Sequence, residues 1–124
     1  MCETMLIKTA EPDFAFNDER GTLTQIVSDG YKQVNCVFTK KGMVRGNMHY
    51  HLETDEAFFV AAGKVKVTAC LGEKKEEKTF GRGDMFIITR GVRHTFEYLE
   101  DTYLVALYTE KVEKGDGTKD IHTD

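Results

Sequence analysis

Polar and apolar residues alternate along much of this chain with a period of two, the spacing that leaves a β-strand half buried. In Val65–Cys70 the residues Val65, Val67 and Ala69 alternate with Lys64, Lys66 and Thr68. Comparable runs, some continuously apolar, cover Met5–Lys8, Leu23–Val27, Val34–Thr39, Met43–Tyr50 and Glu56–Ala62. Others follow at Glu76–Phe80, Met85–Thr89, His94–Leu99 and Thr102–Tyr108. Between them stand turn-forming segments. The first is a loop from Pro12 through Phe14 and Phe16 into Asn17–Gly21, and later ones include Lys40-Lys41-Gly42 and Gly81-Arg82-Gly83. No window has convincing helical periodicity. Strands recurring at roughly ten-residue intervals predict an all-β sandwich or barrel. Glu76–Phe80 reads as a short edge strand, and Phe58, Phe59, Phe86 and Phe96 read as core.

A chain of 124 residues holds one core, not two. The expectation is one domain over residues 1–112 and a polar, mobile tail over 113–124, with His122 facing solvent. The net charge is −4 and the pI near 5.6, with both signs mixed. That argues against a nucleic-acid partner, which needs a basic face. Cys36 and Cys70 lie in apolar runs and are expected as buried, reduced thiols, while Cys2 is terminal. With no C-x-x-C spacing, a thiolate metal or redox site is not expected. The N-terminal stretch has no secretory signal pattern and no apolar run reaches membrane-spanning length, so a cytoplasmic protein without a membrane partner is expected.

The chemistry concentrates between Gly42 and Gly63. His49 and His51 are two apart, so a strand turns both imidazoles to one face. Glu56 follows a polar break and opens the next apolar run, from which a hairpin can return its carboxylate to them. His94 is the fourth candidate. Three imidazoles and a carboxylate suit a divalent transition metal, with Zn, Fe, Mn, Co and Ni all compatible.

These residues fall into two motifs. The first reads Gly42, six residues, His49-Tyr50-His51, four residues, Glu56, six residues, Gly63. The second reads Gly83, five residues, Thr89-Arg90-Gly91, two residues, His94, three residues, Tyr98. Together they resemble the paired motifs of the cupin superfamily, whose fold is a double-stranded β-helix, or jelly-roll β-barrel. The first spacing is one longer than usual, Thr89 stands where proline is usual, and Tyr98 where asparagine is usual. The resemblance implies His49, His51, Glu56 and His94 as metal ligands.

The flanks FNDERGTLTQI (16–26) and TKKGMVRGNMHYH (39–51) are similar to cupins acting on nucleotide-linked deoxysugars. These include dTDP-4-dehydrorhamnose 3,5-epimerase, the 3,4-ketoisomerases, and the zinc-binding epimerase cupin of capsular polysaccharide synthesis. That likeness implies an epimerase or ketoisomerase of a 4-keto-6-deoxy nucleotide sugar, zinc foremost as cofactor, and a homodimer. It also implies Arg20 as a diphosphate contact, with Arg45, Asn47, Arg90 and Arg93 flanking the ligands as further substrate contacts. Candidate acids or bases are Tyr50, Tyr98, Tyr108 and Glu53. In metal-free relatives the histidine after R-G is the base, a role that a coordinated His49 could not take. A metal-dependent dioxygenase or a non-catalytic ligand-binding cupin are the alternatives. Relative to the similar run, Met48 is an extra residue. Strict alternation would turn Arg45, Asn47 and His49 inward, whereas a bulge at Met48 would reverse whatever precedes it.

Overall fold

The structure, a computed structural model, describes residues 5–123. Among these are eleven strands: β1 (Ile7–Ala10), β2 (Phe14–Asp18), β3 (Gly21–Gln25), β4 (Gln33–Thr39), β5 (Val44–His49), β6 (Glu56–Ala62), β7 (Lys64–Leu71), β8 (Lys74–Gly81), β9 (Met85–Ile88), β10 (Arg93–Tyr98) and β11 (Thr102–Tyr108). They pair antiparallel throughout. A five-stranded sheet runs β1-β9-β6-β11-β4, a four-stranded sheet runs β5-β10-β7-β8, and β2-β3 forms a separate hairpin. This is the all-β jelly-roll barrel that the strand spacing and motifs predicted.

The period-two pattern decides what lies inside. Val65, Val67 and Ala69 of β7 are buried while the alternate residues reach outward. In β6, at the centre of its sheet, both faces are covered, which is why its sequence is apolar without alternation. Phe58 and Val60 join the core between the sheets, and Ala57 and Phe59 pack outward under Ile26, Val27 and Tyr31. Aromatic rings from both sheets meet in that core. Phe86 stacks on Phe58 and Phe80, at 5.0 and 4.2 Å between centroids, and Phe96 meets Phe58 edge-on. Phe58, Phe59, Phe86 and Phe96 are thus core residues, as expected. Going up the inner face in two-residue steps, Phe58 leads to Glu56 on β6 and Phe96 to His94 on β10. The same inward rows that build the hydrophobic core therefore end in the candidate metal ligands at the barrel mouth.

Four expectations need correcting. Phe14 and Phe16 lie in strand β2, not in a loop; the Asp18 carboxylate accepts the Arg20 N–H (2.9 Å) and closes a hairpin. Glu76–Phe80 is an edge strand but a longer one, Lys74–Gly81, whose charged residues suit an unpaired edge. Cys36 is exposed and Cys70 only half-buried, because each falls on the outward side of its strand, Cys36 on the edge strand β4. Cys2 lies outside the described residues. Finally, the segment expected to be a mobile tail is docked. Val112 and Asp120 are buried, and His122 pairs with Tyr50 through both backbone hydrogen bonds (3.0 Å each), so His122 is half-buried. Among the described residues, no helix is long and apolar enough to cross a membrane.

Candidate metal centre

His49 and His94 are cross-strand partners on β5 and β10, but the next pair is Gly46 with Thr95. One step on β10 is matched by three on β5, so Asn47 and Met48 form a two-residue bulge. Met48 has φ +56° and Gly46 φ +78°, and the Met48 N–H donates to Thr95 Oγ1 (2.8 Å). Because two residues are absorbed rather than one, parity survives. Arg45, opposite Phe96, still faces the cavity, whereas Asn47 is exposed in the bulge and does not line it. Gly46 is required twice over. Its backbone is left-handed, and a Cβ there would sit 3.0 Å from the His94 carbonyl oxygen and 3.4 Å from the His49 ring.

The four ligand atoms offered by His49, His51, Glu56 and His94 lie within 4.8 Å of one another. His51, Glu56 and His94 are buried and His49 half-buried. Glu56 Oε1 is 2.6 Å from His51 Nε2 and 3.3 Å from His94 Nε2. Despite that proximity, neither His51 Nε2 nor Glu56 Oε1 has a correctly oriented hydrogen-bond partner. Buried polar atoms are normally satisfied, and two that converge without a hydrogen bond fit donors awaiting a common cation. Bonds of roughly 2.0–2.2 Å to nitrogen and oxygen span a cluster of this size with small adjustment.

The electrostatics point the same way. Burial opposes charge on Glu56, but His51 and His94 outweigh it and hold the carboxyl down at about 2. Burial likewise opposes charge on His51, yet contact with Glu56 raises its pKa above the usual value. His49 is pushed down to about 4, first by burial and then by the neighbouring histidines. The carboxylate thus demands a positive partner, and a divalent ion supplies one without protonating an imidazole.

Two of the candidate ligands, His51 and His94, are held from behind. The His94 Nδ1–H donates to the Val92 carbonyl (3.2 Å), and the His51 Nδ1–H to the Asp120 carbonyl. In both rings this leaves the Nε2 lone pair facing inward. The His51 carbonyl accepts the Gly91 N–H (2.7 Å), which ties the second motif to the first. Just before Glu56, the Asp55 carboxylate accepts the Arg90 N–H (2.9 Å) and pairs with its guanidinium (3.2 Å), while the Asp55 N–H donates to Thr109 Oγ1 (2.9 Å). Gly63 ends the first motif where any Cβ would collide with the Asp101 carbonyl and Thr102.

The cavity above this cluster has a volume of about 140 Å³ and is mostly apolar, with Phe58, Phe96, Leu104, Val112 and Ile121 among its walls. Arg45, Tyr98 and Tyr108 supply the remaining polar groups. The Arg45 guanidinium is fixed by donating to Thr39 Oγ1 (2.7 Å) and to the Phe38 carbonyl (3.3 Å). Burial raises the pKa of Tyr98; burial and then the Glu56 charge raise that of Tyr108. Both hydroxyls are therefore protonated at neutral pH.

The other residues singled out from sequence lie outside the cavity. Tyr50 carries the Arg93 guanidinium over its ring at 4.4 Å, Glu53 pairs with Lys114, and Arg90 is engaged by Asp55. Arg20 sits on the β2-β3 hairpin, bound to Asp18. Sequence reasoning missed Asp120, Val112 and Ile121, and no local pattern in that polar segment marks them.

The model of the cupin domain matches residues 37–110, more than half of the chain. A search of curated proteins finds no significant match. Several solved structures are similar in fold. One is a variant of a 3,4-ketoisomerase from Thermoanaerobacterium thermosaccharolyticum in complex with TDP-4-keto-6-deoxyglucose (16% identity, 98% of this chain and 90% of that chain, TM-score 0.81). Another is a 3,4-ketoisomerase from Helicobacter canadensis (19%, 98% and 92%, 0.80). A third is dTDP-4-dehydrorhamnose 3,5-epimerase from Sulfolobus tokodaii (22%, 86% and 76%, 0.69). With both motifs in place around one cluster in the mouth of a jelly roll, and the domain model matching across them, this chain belongs to the cupin family.

Proposed function

We propose that this protein binds one divalent metal, zinc foremost, through His49, His51, Glu56 and His94, and uses the cavity above it as an epimerase or ketoisomerase. The substrate would be a 4-keto-6-deoxy nucleotide sugar. The observation that carries this reading is the convergence of the four ligands with Arg45, Tyr98 and Tyr108 on a single cavity. The similar ketoisomerase and epimerase structures support the substrate class.

Epimerisation or ketone migration needs a proton removed beside a carbonyl and returned to the other face or a neighbouring carbon. A bound divalent ion would supply Lewis-acid stabilisation of the negative charge that develops on the ketone oxygen. Tyr98 and Tyr108, kept protonated by burial, can donate a hydrogen bond or a proton inside the cavity. Arg45 places a fixed positive charge at the rim, where an anionic group of the substrate can rest. A cavity of about 140 Å³ takes a sugar ring, so the nucleotide would lie outside the barrel mouth.

Incubating the metal-loaded protein with TDP-4-keto-6-deoxyglucose in deuterium oxide tests this reading. Deuterium is expected at a carbon next to the ketone, read by mass spectrometry and NMR. Substrate that stays unlabelled and unconverted overturns the enzymatic assignment.

One observation favours a second reading, a metal-dependent dioxygenase. Every histidine at the cavity belongs to the cluster and both tyrosines are held protonated, so, in the metal-loaded reading, no side chain lining the cavity is left over as a base for proton abstraction. The walls, meanwhile, are apolar enough for a small hydrophobic substrate. Oxygen uptake that depends on ferrous iron would move the assignment there. Ligand binding without turnover would instead mark a non-catalytic cupin.

The same reading includes a homodimer. Phe14, Phe16 and Leu23 share one face of the β2-β3 hairpin and are 50–60% exposed. Val34 and Phe38 are exposed on the edge strand β4. Apolar patches and unpaired edges of this kind favour a second copy over solvent. Light scattering coupled to gel filtration is expected to give twice the chain mass of 14.1 kDa; a monomer at micromolar concentration contradicts it.

A further inference from the structure

The segment after β11 turns back across the barrel mouth, and the function proposed above makes no use of it. Val112 and Ile121 form part of the cavity wall. Between them Asp120 is only 1% exposed. Its carboxylate accepts the N–H groups of Leu52 (2.8 Å), Glu53 (2.9 Å) and Thr54 (3.2 Å), and lies 3.1 Å from His122 Nε2. Its own carbonyl accepts the Nδ1–H of His51. The two ends of one residue thus grip the loop that leads to Glu56 and the ring of His51.

That arrangement goes beyond docking a terminus. A buried carboxylate is stable only with its oxygens fully engaged, and here the donors come mainly from the loop between two metal ligands. The backbone carbonyl, held rigidly by that anchor, fixes the tautomer and orientation of His51. The anchor also adds a second buried negative charge, beyond Glu56, close to where a divalent cation would bind.

We infer that Asp120 is a positioning residue of the metal centre. The strap formed by residues 112–122 is one wall of the site, and it holds His51 ready for the ion and slows the ion's escape. This inference rests on the metal-binding reading above. In Asp120→Asn an amide NH2 must face backbone N–H donors, so at least one loop bond is lost and the strap loosens while the chain remains full length.

The test measures zinc affinity by competition with a chromophoric chelator, zinc loss to excess chelator, the visible spectrum of the cobalt-loaded protein, and melting with and without zinc. For Asp120→Asn the expected results are about a 10–100-fold loss of affinity, the range for outer-shell partners of metal ligands, faster zinc loss, an altered cobalt spectrum and a smaller zinc-induced rise in melting temperature. A merely structural role lowers both melting temperatures equally and leaves affinity and spectrum unchanged, which overturns the inference. Hydrogen exchange on the wild type tests it independently of any variant. The amides of residues 52–54, Asp120 and His122 are expected to be protected and to gain protection when zinc is added; free exchange in both states, or protection that zinc does not change, overturns it. A wild type that takes up no divalent metal overturns the metal-binding reading itself, whereas equal binding by wild type and Asp120→Asn overturns this inference alone.

Discussion

Glu56→Gln is expected to lower divalent-metal affinity by more than about 100-fold, beyond the upper end of what outer-shell substitutions cost, while leaving the barrel folded. Glu56 is the one anionic donor among the four and is held ionised by His51 and His94. Glutamine has the same shape but brings no charge, and its amide nitrogen offers no lone pair to a cation. The backbone should not suffer, because Glu56 pairs with Ile88 and Tyr108 through the strand ladders. In the variant, His51 loses the contact that raises its pKa, so it should titrate lower than in the metal-free wild type. The measurement is chelator competition at pH 7.5 together with NMR titration of the imidazoles. Retained affinity would show that the carboxylate is not a ligand, and an unmoved His51 would show that the two side chains are not in contact. In the wild type, acid should displace the metal through His51 before Glu56, because a raised His51 pKa lets protons compete there first while Glu56 stays ionised down to about 2.

The largest expected effect on stability is at Phe86. It is fully buried and packs on Phe58, Phe80 and Phe96, joining the two sheets directly below the His/Glu cluster. Phe86→Ala removes those contacts and leaves a cavity that β-strands on both sides cannot easily close. Substitutions of this kind cost about 3–5 kcal/mol, against a total of roughly 5–15 kcal/mol for a domain of this type. Urea unfolding should therefore show a midpoint shifted far down with little change in slope. A loss below about 1 kcal/mol would mean that the ring stack is not the structural centre of the barrel, since that is the size of an ordinary substitution.

What the sequence made legible was local. The alternation of Val65, Val67 and Ala69 announced a half-buried strand, and His49 and His51 announced one face of another. Motif spacing brought in Glu56 and His94. What stayed hidden depended on topology. Cys36 lies in an apolar run, yet its strand is an edge and its side faces out, and nothing local says which strand ends a sheet. The bulge at Asn47 and Met48 could be suspected, but its size depends on Thr95 across the sheet, and only that size keeps Arg45 facing inward. Asp120 was the largest omission, because its partners lie 66 to 69 residues away. A short acidic stretch near a terminus reads as solvated in the absence of that contact. Arg20, Arg90 and Arg93 looked alike as candidates for an anionic substrate. The structure separates them from Arg45, which alone of the four lines the cavity.

Three imidazoles and a carboxylate around one point make a claim about stoichiometry that can be weighed. Elemental analysis of the protein, purified without chelator and dialysed against zinc, should give one metal ion per chain in the wild type and almost none in Glu56→Gln. A wild type that carries no ion, or a variant that carries as much, would contradict the account at its root.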